Sequence, residues 1–231
     1  MPSSTGAMAE AAARPRLAVF DCDGTLVDSQ RVIVACMREA FAGESLAAPG
    51  AAAVRRVVGL PLAECVARLA PGGDAATHAR LVDAYKEAFY ALRREEGDHE
   101  PLYEGCLAAL DALEARGWTL GVATGKGRRG LLAVLERHGL AGRFATLQTG
   151  DAGPGKPHPA MLERALAETG IDAAQAVMIG DTSFDMLMAR SAGVRGFGVS
   201  WGYHAPEELE AAGAVALASD FAHLVDLLAR A

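Results

Sequence analysis

The chain has 231 residues, 51% of them hydrophobic and 22% charged, with a formal net charge of −7. That composition gives a globular protein able to bury a full core, as one large domain or two modest ones, and excludes disordered and fibrous classes. An acidic chain has no general attraction for nucleic acid or anionic lipid, and no run approaches the roughly 18 apolar residues of a spanning helix. Nucleic-acid and membrane partners are not expected; nothing in the composition speaks to oligomeric state.

Residues 1–15 (MPSSTGAMAEAAARP) are small and polar, lack the apolar core of a signal peptide, and read as a flexible tail. The first apolar run, LAVF at 17–20, is a buried strand that runs out at Asp21 in VFDCDGTLVDS. Gly24 to Gly117 then spans 117 − 24 + 1 = 94 residues, whereas a whole strand–helix–strand unit takes about 30 or more. The excess carries helical stripes: Val32, Val34 and Met37 before Phe41; Leu62, Val66 and Leu69; Leu81, Tyr85, Ala88, Phe89 and Leu92. These place a small all-helical domain at 29–98, and GDHEP at 97–101 marks the return to a core made of 16–28 and 99–231.

Further strands follow at WTLGVAT (118–124), FATLQT (144–149), AVMIG (176–180), GFGVS (196–200) and AVALAS (214–219). Helical patterns alternate with them, ending at Gly139 and Gly170, where glycine suits a helix stop. Strand and helix in alternation predict an α/β fold with a parallel sheet covered on both faces. Cys22, Cys36, Cys65 and Cys106 form no CxxC pair, so neither a zinc site nor a disulfide frame is expected, and a reducing cytoplasm suits them.

In open α/β sheets ligands sit beyond the carboxyl ends of the strands. Asp21 and Asp23 stand there after the first strand, Thr124, Gly125 and Lys126 after the second, Lys156 of GKPHP beyond the third, and Asp181 and Asp185 of GDTSFD after the fourth. Four carboxylates around one crevice repel unless a cation neutralises them, and an all-oxygen set suits Mg²⁺. Lys156 and the Thr124 hydroxyl then want an anion, which a phosphoryl group supplies. One aspartate can attack phosphorus while the other moves the proton of the leaving group and of water.

DCDGTLVDS, the threonine of VATGK, the lysine of GKPHP and the acidic pair of GDTSFD are similar, in order and spacing, to the four motifs of the haloacid dehalogenase superfamily. The resemblance runs over nearly the whole chain. It implies a Rossmann-like core with an inserted helical cap, Asp21 as nucleophile and metal ligand, and Asp23 as acid/base that also offers its backbone carbonyl to Mg²⁺. It further implies phosphate binding by Thr124, Gly125 and Lys156, and a metal site completed by Asp181 and Asp185. Dehalogenating and phosphonate-cleaving members lack the second aspartate, so Asp23 favours hydrolysis of an ester. DGTLVDS, VVGLPL (57–62), TGK and GVSWGYH (198–204) resemble phosphoglycolate phosphatase-type members, which implies a small phosphorylated metabolite as substrate. Pyrophosphatases, sugar or nucleotide phosphatases and phosphomutases share the motifs. Lys126, a cation at the mouth, is the candidate for a second anionic group such as the carboxylate of 2-phosphoglycolate.

Two other readings compete. GKGRRG (125–130) satisfies GxGxxG between strand and helix, but the acidic partner of a dinucleotide site has only Asp151 as a candidate, beyond the strand end, and this reading leaves Asp21, Asp23, Asp181 and Asp185 unexplained. A noncatalytic binding module on the same fold is the other, against which stands the presence of every catalytic group.

Overall fold

The computed structural model describes residues 15–94 and 100–230. The tail expected at 1–15 lies outside them except for Pro15, and so does the 97–99 part of the expected return linker.

Six parallel strands form one sheet in the order β3-β2-β1-β4-β5-β6. They are β1 (Arg16–Phe20), β2 (Trp118–Thr124), β3 (Thr146–Thr149), β4 (Ala176–Gly180), β5 (Arg195–Val199) and β6 (Ala214–Ala218). All six expected runs are strands. Residues alternate between the two faces: Ala18, Phe20, Val177 and Ile179 enter one core, Leu17, Val19, Ala176 and Met178 the other.

Helices α1 (Gln30–Gly43), α2 (Ala51–Arg55), α3 (Leu62–Leu69) and α4 (Ala75–Leu92) come between β1 and α5 (Cys106–Ala115). They pack on one another around Ile33, Met37, Phe41, Val54, Val66 and Leu81, and α4 starts where Asp74 accepts the Thr77 N–H at 2.8 Å. The remaining helices are α6 (Arg128–Arg137), α7 (Ala160–Thr169), α8 (Ser183–Ser191), α9 (Pro206–Ala212) and α10 (Phe221–Ala229). Helices α5, α6 and α10 cover the first face, and α7 and α8 the second. No helix among the described residues is long and apolar enough to cross a membrane.

The helical insert presses directly on the strand-end loops. A Cβ on Gly125 would lie 2.5 Å from the Leu60 carbonyl oxygen, and one on Gly155 would lie 2.2 Å from Pro61 Cγ. Only glycine lets these core loops meet the 59–61 loop so closely.

Candidate active site

β1 and β4 are neighbours with other strands on either side, so Asp21 and Asp181 emerge side by side where the strand order reverses. The Asp21 N–H donates to the Ile179 carbonyl at 2.8 Å, which carries the sheet ladder up to the carboxylate. Asp185 stands in the first turn of α8. Its Oδ2 accepts from the Thr182 N–H at 3.0 Å and from the Thr182 hydroxyl at 2.7 Å, closing a capping box. Helix capping thus fixes one oxygen of Asp185 and leaves Oδ1 for Lys156.

Lys156 Nζ lies 2.6 Å from that Oδ1 and 2.9 Å from Asp21 Oδ1. Asp181 is held from both sides: Oδ1 accepts from the Thr25 hydroxyl at 2.8 Å, and Oδ2 from the Tyr203 N–H at 2.9 Å. Asp21, Asp181 and Asp185 each bring a carboxylate oxygen to within 4.8 Å of the others, and all three are buried.

Against three carboxylates the pocket sets one ammonium, and removing such charges from water is costly. Burial pushes the Asp21 carboxyl up to about 7 against the pull of Lys156, with Asp185 and Asp23 raising it further. Burial also lifts Asp181, helped by Asp21 and Asp185. Burial alone would lower Lys156, but Asp185 and Asp21 outweigh it and hold the ammonium charged.

A divalent cation fits this arrangement. The donors are all oxygen, as Mg²⁺ requires, and Asp21 Oδ2 is buried with no hydrogen-bond partner among the described residues. The backbone keeps the space clear: Gly24 has φ 87°, and a Cβ there would come within 2.3 Å of Asp181 Oδ2.

Asp23 stands apart from this triad. Its Oδ1 is 3.0 Å from Lys126 Nζ, which lies equally 3.0 Å from Glu100 Oε1 and 4.8 Å from the centre of the Phe89 ring. Lys126, expected as a cation at the mouth, is thus paired with two carboxylates. The Lys126 side chain is only 8% exposed, and an ammonium so far out of water holds its charge by taking Asp23 and Glu100 as counterions. Arg93 Nε backs Glu100 with a hydrogen bond of 2.8 Å.

Thr124 ends β2, is buried, and accepts the Lys126 N–H on Oγ1 at 3.1 Å. Thr124 and Gly125 line one cavity together with Asp21 and Asp23. The structure thus gathers Asp21, Lys156, Asp181 and Asp185 in direct contact range, with Asp23, Thr124, Gly125 and Lys126 beside them.

Sequence reasoning passed over Thr25, Thr182, Tyr203 and Glu100. TSFD does carry a capping-box signature that marks Thr182, whereas Glu100 is found only through the fold. Asp151, the acidic residue a dinucleotide site would use, accepts the Arg128 N–H on both oxygens, at 3.2 and 3.1 Å, and the Thr149 hydroxyl at 2.6 Å. It caps α6, so a carboxylate already occupies the helix start that a pyrophosphate would need.

A family model described as haloacid dehalogenase-like hydrolase matches residues 18–199. The chain belongs to the haloacid dehalogenase-like hydrolase family. It is 39% identical over 224 residues to a phosphoglycolate phosphatase of Rhodospirillum rubrum, covering 93% of this chain and 91% of the relative. It is 34% identical to the "Probable phosphatase IndB" of Dickeya dadantii, over 90% of this chain and 91% of that one. Among solved structures it is similar to a predicted phosphatase from Clostridium acetobutylicum, with a TM-score of 0.84 and 25% identity over 95% of this chain and 100% of the other.

The raised Asp21 carboxyl sets a pH dependence. Between its ordinary 3.8 and about 7 the folded protein holds a proton that the unfolded chain releases. Metal-free stability therefore falls as pH rises through that window. A cation competes with the proton, so its stabilising effect grows in the same direction. Melting curves with EDTA and with millimolar Mg²⁺ should show a larger gain in Tm at pH 8 than at pH 5. A gain as large at pH 5 would contradict the cluster's assignment.

Proposed function

We propose that this hydrolase is an Mg²⁺-dependent phosphatase that cleaves a small organic phosphomonoester through an aspartyl-phosphate intermediate. The observation that carries the reading is the division of the paired aspartates: Asp21 belongs to the buried triad with Lys156, while Asp23 is left out of the triad and paired with Lys126. Two carboxylates two positions apart thus have separate partners, which supports giving them separate roles.

Asp21, Asp181 and Asp185 would hold the cation, which when bound would supply positive charge to the phosphoryl oxygens. Asp21 attacks phosphorus, the ester P–O bond breaks, and Asp23 gives its proton to the departing alkoxide. Water then attacks the acyl phosphate while Asp23 takes up its proton, freeing inorganic phosphate and restoring the Asp21 carboxylate. Lys156 and the Thr124 hydroxyl donate to phosphoryl oxygens, with the backbone at Gly125 beside them. The helical insert, read as a cap over 29–98, excludes water and limits what enters. The names of the relatives make 2-phosphoglycolate the first substrate to test.

Asp21→Asn should lower p-nitrophenyl phosphate hydrolysis by at least about a thousandfold, since an amide forms no acyl phosphate. Acid-quenched Asp23→Asn should carry any phosphoryl adduct on Asp21, read by mass spectrometry; an adduct elsewhere, or Asp21→Asn within tenfold of wild type, would remove the nucleophile assignment. Lys126→Ala should depress kcat for p-nitrophenyl phosphate and for 2-phosphoglycolate by similar factors, about tenfold, because its ammonium touches Asp23. A loss confined to 2-phosphoglycolate would instead make Lys126 a substrate-carboxylate ligand.

A further inference from the structure

The catalytic carboxylates open onto one cavity of about 360 Å³ that extends from Asp21, Asp23 and Thr124 into the helical insert. That volume lies in the range, roughly 300–1,000 Å³, of pockets that hold whole organic ligands. Much of the insert side of the wall is apolar: Ile33 and Met37 of α1, Val54 of α2, Val58 beyond it, and the rings of Tyr85 and Phe89 of α4.

Among the described residues, the cations on the lining are paired or exposed. Lys126 is paired with Asp23 and Glu100. Lys86 is 51% exposed and 3.7 Å from Asp83, and exposed Arg129 lies with its guanidinium 4.1 Å over the Tyr90 ring. A carboxylate on a substrate's organic half would thus be buried against aliphatic and aromatic side chains, which is costly without a counterion. An apolar group there is stabilised in proportion to the area it takes from water.

Resting on the phosphatase reading for the phosphate end, we infer that the substrate's organic half is apolar. The enzyme takes monophosphates of uncharged alkyl or aromatic alcohols in preference to phosphorylated hydroxy acids. Phe89 and Tyr85, stacked with ring centres 5.9 Å apart, offer faces to an aromatic or alkyl chain. Phe89 also lies 4.8 Å from the Lys126 ammonium, so the apolar wall begins beside the partner of Asp23.

The test uses the full chain with Mg²⁺ and unreactive phosphonates, so that binding is read apart from turnover. Calorimetry should show hexylphosphonate binding at least tenfold tighter than ethylphosphonate, and phosphonoacetate no tighter than ethylphosphonate. Val58→Phe, which takes up cavity space, should shrink the hexyl-to-ethyl ratio at least threefold; the wild-type series carries the test if that variant does not fold. A flat chain-length series, or phosphonoacetate as the tightest ligand, would overturn the inference and point to Arg129 or Lys126 as an anion site. The predicted ranking without hydrolysis of hexyl phosphate or p-nitrophenyl phosphate would uphold the apolar pocket and bring down the phosphatase reading instead.

Discussion

Three carboxylates brought within 4.8 Å of one another, out of contact with water and facing a single lysine, set the conditions for everything around them. Left alone, such a cluster keeps protons it would otherwise lose, and burial raises both Asp21 and Asp181 accordingly. The surrounding structure does not relieve that strain by moving the groups apart. It holds each in place: Asp181 between Thr25 and Tyr203, Asp185 by the α8 cap, Asp21 on the β4 ladder. Excess negative charge held so firmly suits a metal cation.

The fold supplies this geometry through the reversal of strand order between β1 and β4, and the insert supplies the roof. Contact between roof and sheet is close, at Gly125 and Gly155, and Ser29 at the start of the insert meets the Tyr203 hydroxyl at 3.0 Å. Tyr203 therefore touches both Asp181 of the triad, through its N–H, and the root of the insert, through its hydroxyl. Asp23 lies toward the insert, where Lys126, Glu100 and Arg93 form a chain of alternating charge that runs to the end of α4.

Much of this was legible in the sequence. Parallel strands buried on both faces are continuous apolar runs, so LAVF, WTLGVAT and AVMIG stood out, with Asp21 after the first, Thr124 closing the second and Asp181 after the third. The edges were less clear: FATLQT pairs only from Thr146, and β5 begins at Arg195, one residue before the apolar run. Helix α2 escaped notice because five residues with a single buried side chain, Val54, make no periodic stripe. The pairing of Lys126 with Glu100 escaped because it joins residues 26 apart through the fold and not through a local motif. Tyr85 and Phe89 were visible as an apolar stripe, but periodicity cannot separate a packed core from a cavity wall. That is why the lining of the pocket, and with it the kind of alcohol it suits, needed coordinates.

A cation entering the buried triad must displace protons from it. Calorimetric titration of Mg²⁺ near pH 6.5, repeated in two buffers of different ionisation enthalpy, measures that exchange directly. The account predicts release of about one proton per metal bound, and at least about tenfold weaker binding by Asp181→Asn. Binding without proton release, or unchanged affinity in Asp181→Asn, would contradict it.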